Sequence, residues 1–300
     1  MSSKLFSDGP GEAGGGTLTY TVLDVFAATP LQGNPLAVFL DGRDLTSNEM
    51  QALALEMKLS ESVFLLPPEA DGDVRMRIFT PAQELPFAGH PVLGTAFAVA
   101  DRLGTNSVTL ETGLGPIAVD LTREGYRLVF GRMSQPIPTA APFEPADELL
   151  EVLGVQGSEL PVEAYDNGPR HVFVALASAE AVARLRPNLH LLKDFGAIGV
   201  NCFALDGDHW KTRMFAPAMG VDEDPATGSA AGPLAVHLAR HGRIAFGEEI
   251  VIHQGAEIYR PSVLHASVHG TADEITRVEV GGAAVVVAQG QYLARSYRAS

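Results

Sequence analysis

Arg77-Ile-Phe-Thr-Pro-Ala-Gln-Glu-Leu-Pro-Phe-Ala-Gly-His-Pro-Val-Leu-Gly94 and Arg213-Met-Phe-Ala-Pro-Ala-Met-Gly-Val-Asp-Glu-Asp-Pro-Ala-Thr-Gly-Ser-Ala-Ala-Gly232 read as two versions of one strand-loop-helix unit. Each opens on Arg-x-Phe-x-Pro and passes through an acidic loop (Glu84; Asp222, Glu223 and Asp224). Each then enters a small-residue apolar helix at Gly-His-Pro or Gly-Ser-Ala. Upstream, Ser60-Glu61-Ser62-Val63-Phe64-Leu65 is matched by Val200-Asn201-Cys202-Phe203-Ala204-Leu205, and Asn34-Pro-Leu-Ala-Val-Phe39 by Asn167-Gly-Pro-Arg-His-Val-Phe173. Repeats of this length predict two like domains, since solenoid periods are far shorter. A duplicated unit can close one site from both sides.

The chain has 300 residues, of which 46% are apolar and 19% charged, enough to bury a core without covalent staples. Its single cysteine, Cys202, excludes an internal disulfide and every multi-cysteine metal site. In an apolar strand it reads as a buried hydrophobe. A net charge of −15 argues against a nucleic-acid partner, because phosphate binding needs concentrated Lys and Arg. No apolar run reaches membrane-spanning length and no targeting pattern opens the chain, so a cytoplasmic protein without a membrane partner is expected. Residues 1–16, rich in glycine, read as a flexible tail.

Along the chain, 19–26 alternates as a strand, Gly33-Asn34-Pro35 reads as a turn, and 36–40 reads as a buried strand. Thr46 and Glu49 form a capping box that predicts a helix over 47–57, ending just before Ser60-Glu61. Strands follow at 63–66 and 75–79, a helix begins near Pro91, and two or more strands fill 107–131. The Pro-rich stretch 135–142 marks the boundary. The second half repeats the order, with helices at 146–153 and 179–185 and strands at 171–176, 200–205 and 211–215. A helix over 229–240 stops at Gly242, and strands at 248–258, 263–269, 275–280 and 284–292 close the chain. Strands arriving in runs predict an α+β fold with antiparallel sheets. The expected division is an N-terminal domain over 17–134, with a strand within 284–294 as a candidate to complete it, and a C-terminal domain over 135–283.

Glu61 lies between two serines where a helix ends and an apolar strand begins. Burial there would raise its pKa toward neutrality, as a proton-shuttling base requires, although position alone also fits a solvated carboxylate. His90 follows Gly89 at a helix N-terminus, where backbone N–H groups bind carboxylates and the dipole disfavours imidazolium. A capping or core histidine is the plainer reading. Asp224, Gly228 and Ser229 sit at the equivalent second helix start, where N-capping alone explains Asp or Ser. Together they would make two anion-binding helix mouths that face each other. Gly228-Ser229-Ala230 is not a nucleophile elbow, because Thr227 stands where glycine is needed. His237 and His241, four apart on one helix, lack the His-Glu-x-x-His pattern and read as a plain helix face and not as metal ligands.

These residues resemble the PhzF family of phenazine-biosynthesis isomerases. The resemblance rests on Asp24-Val-Phe with Gly33-Asn-Pro, Leu59-Ser-Glu-Ser-Val-Phe64, the Arg77 unit through Pro91, Asn167-Gly-Pro-Arg-His-Val-Phe-Val174 and Glu223-Asp-Pro-Ala-Thr-Gly-Ser-Ala-Ala-Gly232, and runs from about Tyr20 to Leu293. It implies the diaminopimelate-epimerase-like fold, two pseudo-symmetric domains each formed by a barrel-like sheet around a central helix, with the site in the cleft between them. It also implies a cofactor-free isomerase, a homodimer, with Glu61 as the proton-transferring base, His90 and Asp224 as catalytic partners, and Gly89, Gly228 and Ser229 at the carboxylate of a small-molecule substrate. The implied substrate is trans-2,3-dihydro-3-hydroxyanthranilate. A related isomerase or epimerase acting on another cyclic or amino-acid substrate, and a silent binding protein, are the alternatives. Two-thiol racemisation is excluded, since Cys202 has no partner.

Overall fold

A computed structural model describes residues 5–6 and 17–293. The first half runs β1 (Thr17–Val25), β2 (Asn34–Phe39), α1 (Ser47–Met57), β3 (Glu61–Leu66), β4 (Val74–Phe79), β5 (Glu84–Leu85), α2 (Gly89–Leu103), β6 (Ser107–Thr112), β7 (Gly115–Glu124) and β8 (Arg127–Gln135). The second half runs β9 (Thr139–Pro142), α3 (Ala146–Leu153), β10 (Glu163–Asp166), β11 (Arg170–Ala175), α4 (Ala179–Arg184), α5 (Leu189–Leu192), β12 (Gly199–Asp206) and β13 (His209–Ala216). It continues through β14 (Val221–Asp224), α6 (Gly228–Arg240), β15 (Glu249–Gln254), β16 (Ser262–Gly270), β17 (Ile275–Gly282) and β18 (Ala284–Leu293).

The pairings repeat strand for strand. β2 lies parallel to β3, β3 antiparallel to β4, and β4 parallel to β6, which continues into the β7–β8 meander. β11, β12, β13, β15, β16 and β17 copy that order. The halves are tied by β8 against β17, and each half finishes on a strand that follows its partner's last one. β9 follows β8 but pairs with β10, and β18 follows β17 but pairs with β1.

The Arg-x-Phe unit has a physical basis. Arg77 and Arg213 each fork onto a carboxylate, Glu84 at 2.7 and 2.6 Å and Glu223 at 2.8 and 2.7 Å. Each guanidinium also lies over the phenylalanine two positions on, 5.1 Å from Phe79 and 5.0 Å from Phe215. With these arginines equated, ladder register fixes the correspondence. Phe64 faces Arg77 and Cys202 faces Arg213, so counting back three residues makes Glu61 equivalent to Gly199. Glu61 therefore does not match Asn201, as the likeness of the two sequence stretches suggests.

α2 and α6 are apolar and buried nearly all round, as helices enclosed by a curled sheet must be. α1 instead buries only Met50, Leu53 and Ala54 against the outer face of the first sheet. Its capping box forms as the sequence predicts, with Thr46 accepting from Glu49 N and Glu49 Oε2 accepting from Thr46 N. Two local readings are corrected. Asn34 and Pro35 belong to β2 and not to a turn, because the reversal is made upstream by Leu31 and Gly33 at φ 68° and 69°. The strand expected over 248–258 ends at Gln254, where Gly255 at φ 80° starts a single 3-10 turn. Of the glycine-rich tail, Leu5 and Phe6 are described: Phe6 is buried, with the Arg43 guanidinium 5.4 Å from its ring centre. The rest of 1–16 lies outside the described residues. No helix among the described residues is long and apolar enough to cross a membrane.

Candidate active site

α2 and α6 meet head to head. A β-carbon added to Gly89 would lie 2.4 Å from Gly228 C and Ser229 N, so glycine is what lets the two helix starts touch. Neither helix has a side-chain cap, and Ala88 and Thr227 occupy the N-cap positions without capping bonds. Asp224 and Ser229 are thus not the capping residues that local sequence suggests. Two uncapped N-termini place two positive dipole ends side by side, an arrangement that an anion stabilises. Pro233 inside α6 cannot bond the Ser229 carbonyl, and Asn167 Nδ2 donates to that oxygen at 2.9 Å instead.

Around this junction lies a cavity with about 490 Å³ of free space, part of it open to solvent. Glu61, Gly89, His90, His171, Asp224, Gly228 and Ser229 line it, with Leu85, Met214 and Met219 among its apolar wall. All six residues singled out in the sequence come together here. Glu61 is carried by the first position of β3, and Asp224 by the last of β14. Equivalent positions in the two halves carry different side chains: Glu61 against Gly199, and His90 against Ser229. Leu85 is the counterpart of Asp224, since Glu84 and Glu223 hold matching arginines.

Asp224 is heavily bonded. Its Oδ1 accepts from Asn34 Nδ2 at 2.8 Å and Ser60 Oγ at 3.1 Å, and its Oδ2 accepts from Thr227 Oγ1 at 2.7 Å. Gln254 Nε2 donates to the Asp224 carbonyl and to Thr227 Oγ1, which fixes the loop. Glu61 Oε2 lies 3.3 Å from His90 Nε2, yet the two are not aligned as a hydrogen bond, and both atoms are buried without a partner. Burial lowers the His90 pKa to about 3, so the ring is neutral and the contact is not an ion pair. Burial, then the Asp224 charge, push the Glu61 carboxyl well above the usual carboxylate range. Burial also raises Asp224, while its three donors favour the ionised form. The three donors thus act on Asp224, and Glu61 is the carboxyl held well above its usual range.

A profile of the family described as "Phenazine biosynthesis-like protein" matches residues 23–290. The chain belongs to this family. It is 52% identical over 272 residues to the trans-2,3-dihydro-3-hydroxyanthranilate isomerase of Pseudomonas aeruginosa, covering 91% of this chain and 98% of that protein. The protein of the same name from Pseudomonas chlororaphis is 51% identical over 271 residues, covering 90% and 98%. The crystal structure of the Bacillus anthracis phenazine biosynthesis protein of the PhzF family superposes with a TM-score of 0.80 at 27% identity, covering 93% of this chain and 99% of that one. The α+β fold with two similar halves around central helices is thus the one expected from the PhzF resemblance.

Several residues of this family member's site escaped the sequence reading. Asn34 is fully buried: its Nδ2 donates to Asp224 Oδ1 and to Ala226 O at 2.9 Å, and lies 3.3 Å from His90 Nδ1. His171 contacts Ser229 Oγ at 3.0 Å. Both residues stand in quoted motifs, but neither spacing nor composition assigned them a partner. Away from the cavity, His237 is wholly buried and not on a plain helix face. With His241 it approaches Glu163 Oε2, at 3.2 and 3.1 Å, and Tyr165 Oη donates to the same oxygen at 2.8 Å. The ligating atoms lie within 4.8 Å of one another. Arg240, close enough to Tyr165 to act on its hydroxyl, opposes a cation there, and His237 Nε2 is buried without a hydrogen-bond partner.

Proposed function

We propose that the protein is a trans-2,3-dihydro-3-hydroxyanthranilate isomerase that forms the aminooxocyclohexene carboxylate precursor of phenazines. The observation that carries this reading is the unpartnered Glu61 Oε2 buried beside neutral His90 at an uncapped pair of helix starts. The names of relatives about half identical over nearly the whole chain support the same substrate.

Ionised Glu61 takes the proton from C3 of the ring. The electron pair left behind moves through the conjugated diene onto C1 and its carboxylate. Backbone N–H groups at Gly89 and Gly228, with the Ser229 hydroxyl, bind that carboxylate most strongly as charge arrives on it. Glu61, now protonated, returns the proton to C1, which leaves an enol at C3. Loss of the enol O–H proton and protonation at C4 give the ketone, so substrate and product are isomers. A raised pKa suits a group that must act as base and then as acid near neutral pH. Asp224 and His90 hold the amino and hydroxyl substituents, which turns the C3–H bond toward Glu61. The Glu61 carboxylate suffices for the proton transfer from C3 to C1.

The working division is 17–134 with 284–293 as one domain and 135–283 as the other, supported by the pairing of β18 with β1. From the family resemblance we also take the protein to be a cytoplasmic homodimer, which sedimentation equilibrium tests. The activity test follows loss of diene absorbance when the dihydrohydroxyanthranilate is added. Glu61→Gln should lower kcat by about 10²–10⁴-fold. No turnover by the wild type would sink the substrate, and undiminished turnover by the variant would refute the base.

A further inference from the structure

We propose that His171 is a positioning residue which, held in one tautomer by Asn201, makes Ser229 a one-directional hydrogen-bond donor to the substrate carboxylate. This deepens the isomerase reading and rests on it for the ligand, though not for the tautomer.

The direction of each bond follows from what each group can do. Asn201 Nδ2 lies 2.9 Å from the Gly199 carbonyl oxygen, which only accepts, so this end of the amide is the NH₂ group. Its second hydrogen faces His171 Nδ1 at 3.4 Å. A ring nitrogen facing an N–H donor is the acceptor, which leaves the proton of the neutral ring on Nε2. Nε2 in turn lies 3.0 Å from Ser229 Oγ. The hydroxyl therefore accepts from His171, and its own hydrogen is free to turn into the cavity that both side chains line. In the opposite tautomer the Ser229 hydrogen would be spent on the ring, and the hydroxyl would present lone pairs to an incoming carboxylate.

The repeat shows how the second half makes room for this device. His171 faces Gly199 across the β11–β12 ladder, as Leu36 faces Glu61 across β2–β3. A β-carbon at 199 would lie 2.7 Å from His171 Nδ1, so the imidazole fills the space that a side chain equivalent to Glu61 would need. One half thus sets a carboxylate beside the residue heading its helix, and the other sets an imidazole there. His171 is 1% exposed, and burial lowers its pKa to about 3, so it stays neutral throughout the working range.

The test combines steady-state kinetics on the dihydrohydroxyanthranilate with ¹⁵N NMR of the histidine rings in the intact protein. His171→Leu should raise KM about tenfold with a smaller change in kcat, and His171→Gln, whose amide N–H reaches the same place, should recover to within about threefold. The double variant His171→Leu/Ser229→Ala should be no worse than the poorer single one. Additive losses, or equal behaviour of the Leu and Gln variants, would overturn the proposal. The NMR arm uses wild-type protein and needs neither turnover nor a folded variant. It should show His171 protonated at Nε2 and bare at Nδ1 from pH 5 to 8, and a proton on Nδ1 would overturn the assignment. Absence of wild-type turnover with an Nε2-protonated ring would sink the substrate alone.

Discussion

Replacing Gly89 with alanine should damage catalysis far more than stability. The added β-carbon would sit 2.4 Å from Gly228 C and Ser229 N and 2.8 Å from Gly228 Cα, all backbone atoms of the facing helix. Carbon atoms rest at about 3.5 Å, so the two helix starts must part by about 1 Å. Overpacking of this kind costs about 1–3 kcal/mol, and the gain from alanine over glycine inside a helix returns about 0.5–1 kcal/mol of it. The same 1 Å separates His90 and Glu61 from Ser229, and a misplacement of that size costs about 10²-fold in rate. The assay pairs kcat/KM, from the loss of diene absorbance, with thermal unfolding followed by circular dichroism. Gly104→Ala is the control: Gly104 adopts φ 67° with no atom within 4 Å of an added β-carbon, so it should lose about 1 kcal/mol while keeping its activity. A Gly89→Ala enzyme within about threefold of wild-type kcat/KM would refute the claim that helix contact sets the site.

The pH dependence of kcat/KM should rise through a pKa well above the ordinary carboxylate value, because the base must be ionised and burial with Asp224 holds Glu61 high. Asp224→Asn removes the charge that raises Glu61, so the limb should shift to lower pH; a limb that stays in place would show that the two carboxylates do not communicate. Stability should fall as pH drops below the unfolded histidine value of about 6.5, because His90 and His171 titrate near 3 and His237 near 4 in the folded state. The unfolded chain then binds three more protons at those sites, which sets a limit of about 4 kcal/mol per pH unit. Glu61 and Asp224, raised in the folded state, bind protons there first and reduce the slope until the unfolded chain protonates them too, at about pH 4. Urea unfolding midpoints that stay flat between pH 6.5 and 4 would contradict this account.

Local signals in the sequence were legible where the physics is local. The Thr46–Glu49 box and the helix starting at Gly-Ser-Ala depend only on residues within a turn or two. Asn34 and Pro35 have the composition of a turn without its conformation, because the positive φ values belong to Leu31 and Gly33. The repeat was visible, but its register was not: Ser-Glu-Ser looks like Val-Asn-Cys, and only ladder pairing sets Glu61 against Gly199. Asn34 was beyond sequence reasoning for a similar reason, since its bond to Asp224 spans 190 residues. His237 and His241 had visible spacing, but the third member, Glu163, comes from a strand more than seventy residues away.

The reciprocal strand exchange carries a consequence for how the chain is made. Thr17 pairs with Leu293 and Val25 with Ala284, so one edge of the first strand waits for the last. At synthesis rates of about 5–20 residues per second, that edge stays open for tens of seconds after the strand emerges. An unpaired edge of that kind is a template for association with other chains. β1 begins Thr-Leu-Thr-Tyr-Thr, an alternating pattern with nothing charged before Asp24 to discourage such pairing. Newly made chains that stall before residue 284 should therefore be the aggregation-prone species, and completion of β18 is the step that removes them from that pool.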